Sequence, residues 1–413
     1  MPEGSTIKVC MLAPFPLKNS IEQHRLGNSY SVGLVDALVE EYKDVELTIF
    51  ANRYEEEKKQ KYRNVTINRI WYRGKLNLFT VFKEIIRLKP DIMHIQYVLG
   101  AKYGKGLYLL NPYLLMLFLR IARYPLLITI HDVIPSNDLS NTFKKMFKKH
   151  QQISFVYSLG YRFATMFMGK IASKIIMLDQ GTKKWAIEQY GYSKNKIILI
   201  PHGMAKDVGT VTIKQKEKII EILENWNYLL FFGKIHPRKG IEYAIKALPY
   251  VLKKHPKTKL MIAGNYSGSW EEESKSYLSS LKKLTKSLDV ESHVFFEIKF
   301  LGEEIPIIFG ATNIIVLPYV VPYGASGVIK LAASYKKPVI APYSISREGE
   351  INDGISGYLL PSLDEKLLAH KINNLLDDKS LSLAMGERFY EENRTTSVWN
   401  KVAKETYECY KIM

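Results

Sequence analysis

The segment from Gly233 to Gly240 holds the densest set of residues that could bind an anion. Lys234, Arg238 and Lys239 lie between the two glycines, after an apolar run and before a helical pattern. Lysine and arginine neutralise phosphate oxygens, and glycine lets the main chain approach them closely. The Walker A spacing, Gly-x4-Gly-Lys-Ser/Thr, is absent. The segment therefore predicts a diphosphate site in a strand-to-helix turn, with a solvated basic loop as the alternative.

A second segment, rich in small residues, leads directly into another predicted helix. Ser326, Gly327 and Val328 follow the apolar run of residues 313–318. The first N–H groups of a helix have no partner within the helix, and they bind phosphate or hydroxyl oxygens. We predict such a site here, although a tight turn with ordinary helix packing explains the same residues.

Two titratable side chains follow other apolar runs. His131 comes directly after residues 126–130, where a histidine can hydrogen-bond a substrate or take part in proton transfer. Glu350 follows the run of residues 338–342, and its carboxylate could accept hydrogen bonds from sugar hydroxyls. Each residue taken singly is better explained by a structural role. The functional prediction therefore depends on all four segments meeting in space.

Parallel strands are the elements that would bring these segments together. Short β-branched runs alternate with helical patterns throughout the 413 residues, which is typical of parallel sheets covered by helices. The predicted strands are residues 8–13, 46–51, 91–97, 126–131, 174–178, 196–201, 227–233, 259–264, 293–297, 313–318 and 338–342. The predicted fold class is α/β, with two Rossmann-like, doubly wound domains facing a central cleft.

The length of the chain also predicts two domains, because a typical domain has about 100–200 residues. We expect an N-terminal domain at residues 1–200 and a C-terminal domain at residues 201–389. A helix at about 390–413 is expected to pack back onto the first domain. Since ligands bind beyond the carboxyl ends of strands in such sheets, all four segments should face the cleft.

Positive charge is concentrated in the first domain. The net charge is +18, and residues 101–200 hold 15 basic and 4 acidic residues, a balance of +11. Lys144, Lys145, Lys148 and Lys149 alternate with aromatic and apolar residues, which favours contact with an anionic membrane surface. A solvated basic face is the alternative. No nucleic-acid-binding motif accompanies the charge, so nucleic acid is not an expected partner.

The composition also indicates where in the cell the protein is located. Two cysteines, Cys10 and Cys409, exclude a disulfide scaffold and a cysteine-rich metal site. The first residues do not form a signal peptide, and no apolar run is long enough to span a bilayer. We expect a cytoplasmic protein, with peripheral attachment to the inner face of the cell membrane as an extension of that expectation.

Together these segments resemble the retaining, nucleotide-sugar-dependent glycosyltransferases of the GT-B fold, in particular family 4 (glycosyl transferases group 1). The resemblance implies that Lys234 and Lys239 hold the donor diphosphate and that His131 lies beside the reacting sugar. The other positions that it implies for donor binding are Gly27, Gly233, Arg238, Ser326, Gly327, Val328 and Glu350.

The resemblance also implies a reaction. A hexosyl group would move from a UDP- or GDP-linked sugar to a hydroxyl of a saccharide or lipid-linked acceptor, with retention of the anomeric configuration. Because the lysines would hold the diphosphate, neither a metal ion nor another cofactor is implied.

In one respect the chain departs from the family. Two glutamates eight positions apart usually contact the donor sugar and the ribose, and their places here hold Tyr323 and Leu331. Glu348 or Glu350 could supply a carboxylate, or the nucleotide could bind differently. A weak or inactive sugar- or partner-binding scaffold of the same fold is the main alternative. A phosphorylase or a sugar epimerase is a further one.

Overall fold

The computed structural model describes residues 6–21, 24, 29–53, 59–72, 75–98, 110–146, 151–205, 208, 217, 225–266, 271–298, 304–320, 324–344 and 349–413. Within these ranges the chain forms two sheets, each covered by helices. The predicted α/β class with two Rossmann-like domains is confirmed.

The first sheet has eight strands within the described residues. They are β1 (Ile7–Leu12), β2 (Val45–Arg53), β3 (Lys59–Tyr62), β4 (Val65–Tyr72), β5 (Ile92–Tyr97), β6 (Leu126–Ile130), β7 (Lys174–Met177) and β8 (Ile197–Leu199). Their order is β3-β4-β2-β1-β5-β6-β7-β8, and only the β3–β4 pair among them is antiparallel. The carboxyl ends of the parallel strands therefore meet at one edge of this sheet.

The second sheet has six described strands, and all its neighbouring pairs are parallel. They are β9 (Asn227–Phe232), β10 (Thr258–Gly264), β11 (Val294–Ile298), β12 (Ile314–Val316), β13 (Val339–Pro342) and β14 (Gly357–Leu360). Their order is β11-β10-β9-β12-β13-β14. The strand order reverses next to β9, and the carboxyl ends of strands at such a reversal usually hold the ligand.

The described α-helices are listed here in chain order. They are α1 (Tyr30–Glu41), α2 (Leu78–Leu88), α3 (Asn111–Ile121), α4 (Leu139–Met146), α5 (Gln151–Ile171), α6 (Gln180–Tyr190), α7 (Ile241–Leu252), α8 (Glu271–Ser287), α9 (Ile305–Gly310), α10 (Gly327–Ser334), α11 (Glu365–Asp377), α12 (Lys379–Thr396) and α13 (Trp399–Lys411). None of them is long and apolar enough to cross a membrane.

Apolar side chains on both faces of the first sheet explain its continuous apolar runs. Along β1, Val9 and Met11 join one core, whereas Cys10 and Leu12 join another on the opposite side. Every residue of β6 is buried. Strands buried on both faces do not alternate between apolar and polar residues, because helices cover both sides of the sheet.

The eleven predicted strands all overlap observed ones, but β3, β4 and β14 are not predicted. Strand β4 carries Asn68 and Arg69 at buried positions, which interrupts the apolar run that would have indicated a strand. Strand β14 has four residues and begins with Gly357. Both lie outside the central strands of their sheets.

The chain passes between the two domains at two places, and these two crossings contact each other. The main-chain N–H of Met204 donates to the carbonyl of Ser397 at 2.6 Å, and Met204 pairs with Val398 as parallel β-bridge residues. Helix α12 contributes Phe389 to the second-domain core and continues to Thr396. The expected division at residues 389/390 therefore lies inside this helix.

Helix α13 belongs to the first domain by its contacts. Tyr407 stacks on Tyr42 with ring centroids 4.0 Å apart, and Val402 and Tyr410 are buried in the first-domain core. Trp399, at the start of the helix, lies against Gly33 of α1 and against Gly203 at the first crossing. A side chain at either glycine would overlap the indole ring.

Gly33→Ala is expected to lower the melting temperature by several degrees, because the added methyl would overlap the Trp399 indole. Overpacking of this kind costs about 1–3 kcal/mol, more than the 0.5–1 kcal/mol or so that alanine contributes over glycine within a helix. The matched control is Gly160→Ala in α5, where no atom lies within 4 Å of the added methyl. A Gly33→Ala protein that melts at or above the wild-type temperature would contradict this packing.

Candidate active site

A cleft of about 450 Å³ lies where the two sheets face each other. Its wall from the first domain includes Tyr30, His131 and Asp132, and its wall from the second includes Lys234 and Gly327. Three of the four predicted segments therefore reach one cavity. The other lining residues are Pro14, Phe15, Pro16, His24, Ser29, Ser31, Asn52, Trp71, Val98, His202 and Ala325.

His131 follows β6 and is held from two sides. Its Nε2–H donates to Oε1 of Gln96, the neighbouring side chain on β5, at 2.9 Å. The Tyr30 ring meets the imidazole edge-on with centroids 4.8 Å apart. The ring direction and the position of its Nε2 proton are thus set by residues of the first domain.

Gln96 is itself oriented by a buried chain of hydrogen bonds. Its Nε2 donates to Nε2 of His94 at 3.1 Å, so the amide oxygen is left to face His131. Since His94 Nε2 accepts, Nδ1 carries the proton and donates to the Tyr410 hydroxyl at 2.7 Å. The Thr129 hydroxyl also contacts His94 Nε2, at 2.8 Å. This chain connects α13 to the cleft histidine.

Burial keeps His94 neutral, and the hydrogen bonds described above require a neutral imidazole. The side chain is fully buried, and desolvation of the charged form lowers its pKa to about 3. The donor and acceptor roles along the chain are therefore fixed across the physiological pH range.

The second domain touches the His131 turn through a glycine. Gly324 has φ +77°, in the left-handed region that favours glycine. A Cβ atom there would lie 2.5 Å from Oδ1 of Asp132 and 2.6 Å from the carbonyl oxygen of His131. No larger residue fits, so this contact sets how closely the two domains approach beside His131.

The predicted diphosphate segment follows β9 as a tight turn. Gly233 has φ +141°, and the next side chain, Lys234, is exposed and lines the cleft. Lys239 ends a short 3₁₀ turn, and its ammonium lies 3.6 Å from the centre of the Tyr319 ring. The Arg238 side chain is exposed, and its carbonyl accepts from the N–H of Val320.

His236 adds no positive charge to this segment. It is buried, and its Nδ1 accepts the main-chain N–H of Arg238 at 3.1 Å. Burial first, and the cations Arg238, Lys239 and Lys234 after it, lower its pKa to about 4. The positive charge of the turn is therefore carried by the lysines and the arginine.

The start of α10 presents main-chain groups to the cleft. Ser326 is the buried N-cap residue and its side chain makes no capping hydrogen bond, while Gly327 lines the cleft. The Val328 side chain packs against the second-domain core, so only its main chain is available to a ligand. Helix N–H groups of this kind can bind phosphate oxygens.

The remaining donor positions lie apart from the cleft lining or outside the described residues. Glu350 is buried in the turn before β14 and is absent from the cleft lining. Leu331 is 1% exposed in the second-domain core, so no polar group stands at this position. Gly27, Tyr323 and Glu348 lie outside the described residues.

The lysine run predicted to contact a membrane is only partly described. Lys144 is exposed on α4, and Lys145 lies in the same helix with its side chain outside the description. Lys148 and Lys149 lie outside the described residues. The aromatic residue at the start of this run, Phe143, is not at the surface, because it packs between Tyr157 and Tyr161 in the core.

His202 is a cleft residue that the sequence analysis does not identify. It lies at the first crossing, with the Tyr30 ring at 5.3 Å and the Trp399 ring at 5.5 Å. Its Nδ1–H donates to the carbonyl of Gly203 at 2.9 Å. Burial, and after it the charge of Lys330, lower its pKa to about 4 despite that hydrogen bond.

The free energy of unfolding is expected to fall as the pH drops from about 6.5 towards 4. In this range His94 and His202 bind a proton in the unfolded state but stay neutral in the folded state, where their pKa values are lowered. The unfolded state then binds more protons, and each histidine removes about 1.4 kcal/mol per pH unit in this window. Urea unfolding at stepped pH measures the slope. His202→Asn should make the slope shallower by about 1.4 kcal/mol per pH unit, because His94 and His236 still contribute, whereas His370→Gln, at an exposed position, should not. An identical slope in wild type and His202→Asn would contradict this account.

The described residues contain no group of three or more His, Cys, Asp and Glu side chains that could hold a metal ion. The implication that the reaction uses no metal stays a prediction.

Comparisons with known proteins agree with this architecture. Residues 28–207 match the family model "Glycosyltransferase Family 4", and residues 212–392 match the model "Glycosyl transferases group 1". The structure of Anabaena HepE in complex with UDP and glucose is similar over 98% of this chain and 100% of that one, with a TM-score of 0.73 and 16% identity. At that identity the likeness establishes the fold.

Curated relatives match over part of their length. An uncharacterized glycosyltransferase of Methanocaldococcus jannaschii is 24% identical over 245 residues, which cover 58% of this chain and 60% of that protein. The D-inositol 3-phosphate glycosyltransferase of Kineococcus radiotolerans is 24% identical over 259 residues, with 58% and 57% covered. The match thus spans about three fifths of each relative. The two family models lie end to end, one on each domain, and the chain has the two-domain GT-B fold of the glycosyltransferases that it resembles.

Proposed function

We propose that this protein is a retaining glycosyltransferase that moves a hexosyl group from a nucleoside diphosphate sugar to an acceptor hydroxyl. The observation that carries the proposal is the single cleft lined by His131, Lys234 and Gly327. One residue comes from the first sheet, one from the cationic turn after β9 and one from the start of α10. A donor with a diphosphate at the second domain and a sugar at His131 fits this division.

The proposed chemistry is charge stabilisation on the leaving group. As the bond between the anomeric carbon and the phosphate oxygen breaks, negative charge grows on the diphosphate. Lys234, Lys239 and the first N–H groups of α10 would stabilise that charge, and preorganised donors of this kind are effective because they need no rearrangement. The acceptor oxygen forms the new bond on the same face, and its proton passes to the leaving phosphate. No separate general base is assigned.

His131 would orient the donor sugar beside the reacting carbon. Its Nε2 proton is committed to Gln96, and His94 in turn fixes the direction of the Gln96 amide. Contact between the domains at Gly324 would exclude water from this part of the cleft and so disfavour hydrolysis of the donor.

The nucleotide of the donor is proposed as UDP or GDP. HepE, which shares the fold, was crystallised with UDP, and this supports a uridine donor. Leu331 occupies the position where the family usually has the carboxylate that binds the ribose, and its side chain is apolar and buried. The ribose of the donor would therefore need a different contact. The same residue favours the alternative function, a sugar- or partner-binding scaffold without turnover.

The acceptor is proposed as a saccharide or a lipid-linked molecule, at an anionic membrane surface. The excess of 11 positive charges in residues 101–200 supports this part of the proposal. The Kineococcus relative is named for an acceptor that carries a phosphate. A cytoplasmic location with peripheral membrane attachment goes with this acceptor.

UDP or GDP is expected to raise the melting temperature of the wild-type protein, and Lys234→Ala/Lys239→Ala should abolish the rise. A ligand at 100 times its Kd adds about 2.7 kcal/mol, which is roughly 5–10 °C for domains of this size. Each shift is measured against the same variant without nucleotide, because Lys239 also contacts Tyr319. Lys246→Ala, at an exposed lysine of α7, is the matched control. If no nucleotide shifts the wild-type protein, the scaffold function is favoured.

Gln96→Leu is expected to lower kcat for cleavage of the bond between the donor sugar and its diphosphate by about tenfold. The Kd for the nucleotide should change less than twofold. The leucine removes the acceptor of the His131 proton without touching the diphosphate turn. Gln96→Glu should retain more activity than Gln96→Leu, because a carboxylate still accepts that proton. Gln180→Leu, at an exposed position of α6, serves as control. Equal loss of kcat in the Leu and Glu variants would argue against a role in positioning.

A further inference from the structure

Helices α2, α3 and α5 expose large apolar side chains to solvent. Six of these side chains are between 46% and 80% exposed, and together they define what is called here the α2–α3–α5 face. They are Phe79 and Ile86 on α2, Phe118 and Ile121 on α3, and Phe155 and Phe163 on α5. Large exposed apolar patches are rare on soluble monomers and mark contact with another surface.

The three helices pack on the same core, on one side of the first sheet, so their exposed apolar side chains lie on the same side of the domain. Phe82 of α2 meets Phe118 of α3 edge-on with ring centroids 5.3 Å apart, and α3 packs against α5. Phe79 and Ile86 are seven positions apart, and Phe155 and Phe163 are eight apart. Either spacing puts both members of a pair on the same side of their helix.

The charges around this face are positive. Helices α3 and α5 contain no Asp or Glu, and they expose Arg120, Arg162 and Lys170. On α2, Lys83 is exposed between Phe79 and Ile86, whereas Glu84 is paired with Arg87 at 2.6 Å. The chemistry of the face therefore suits a partner that is apolar and anionic at once.

A cationic cavity of about 410 Å³ lies at the α2 end of the face, between β4 and the first turns of that helix. Four cationic side chains and Glu84 line it, the cations being Arg53, Lys59, Arg69 and Lys75. Asn68 also lines it, is 2% exposed, and has no hydrogen-bond partner for either amide atom. An unpartnered buried amide beside four cations suits the phosphate and hydroxyl groups of a lipid headgroup.

We propose that the α2–α3–α5 face docks on a bilayer that contains anionic phospholipid, with a headgroup phosphate in the cavity beside Asn68. Apolar side chains would enter the acyl boundary while the cations remain at the level of the phosphates. A second copy of the chain fits less well, because a two-fold contact would bring the same cations together. The inference rests on the proposed function in that it assigns the surface for the membrane partner, in place of the run 143–149.

Co-sedimentation with vesicles of phosphatidylcholine, with and without phosphatidylglycerol, tests the proposal. The wild-type protein should bind vesicles that contain phosphatidylglycerol. Phe79→Ser/Phe118→Ser/Phe163→Ser should lower the bound-to-free ratio by about tenfold or more. Lys59→Gln/Lys75→Gln should reduce the preference for phosphatidylglycerol. The matched control is Leu383→Ser, which removes a side chain that is 70% exposed in the second domain and should bind as the wild type does.

Three results would overturn the proposal. The first is a wild-type protein that does not bind anionic vesicles at low salt. The second is a triple Phe→Ser variant that binds as well as the wild type, whereas substitution of Lys144, Lys145, Lys148 and Lys149 by Glu abolishes binding. The third is a wild-type dimer in sedimentation velocity that the Phe→Ser variant converts to a monomer.

Nucleotide-induced melting shifts, measured without vesicles, separate this proposal from the catalytic one. The Phe→Ser variant should keep the shift of the wild type, which also establishes that it is folded. Vesicle binding without any nucleotide shift would reject the proposed donor chemistry and leave the docking face intact. A nucleotide shift without vesicle binding would reject the docking face and leave the proposed donor chemistry intact.

Discussion

The contact between the two chain crossings is the constraint on which the rest of the structure depends. Met204 and Val398 pair directly, and Trp399 fills the space that Gly33 and Gly203 leave open. The two crossings therefore form a single connection, and the Trp399 indole packs beside it. The separation of the two sheets, and with it the width of the cleft, follows from that connection and from the close approach at Gly324. Residues that never touch a substrate therefore determine whether His131 and Lys234 can face the same ligand.

The second-domain side of the site presents main-chain groups and lysines, and a hydrogen-bond network orients His131 on the first-domain side. Leu331 is buried in the second-domain core, and Glu350 lies outside the cleft lining. Tyr410, His94 and Gln96, which lead to His131, are neutral groups, so they fix its geometry without adding charge. Among the described residues that line the cleft, the lysine is Lys234, in the turn after β9. This separation suits a ligand with one strongly charged end and one end rich in hydroxyl groups.

Much of the fold could be predicted from the sequence because strand ends in parallel sheets carry local signals. The turn at Gly233 and the histidine after β6 are each recognisable within about ten residues of chain. His202 was not recognisable, because its role comes from Tyr30 and Trp399, which are remote in sequence. Phe143 is a related case: it lies in a lysine-rich run that predicts an exposed surface, yet its contact with Tyr161 of α5 buries it. The apolar face of α2, α3 and α5 is hidden in the same way, since phenylalanine and isoleucine in helices normally predict a core.

The placement of α13 in the first-domain core has a consequence for how the protein is made. Strands β1–β8 leave the ribosome well before Val402, Cys409 and Tyr410, which complete the core on one side of their sheet. About 200 residues separate β8 from Tyr410, and at about 5–20 residues per second their synthesis takes roughly 10–40 s. During that interval the first sheet lacks part of its apolar cover, and His94 lacks its tyrosine. The first domain therefore cannot complete its core until the second domain has been translated.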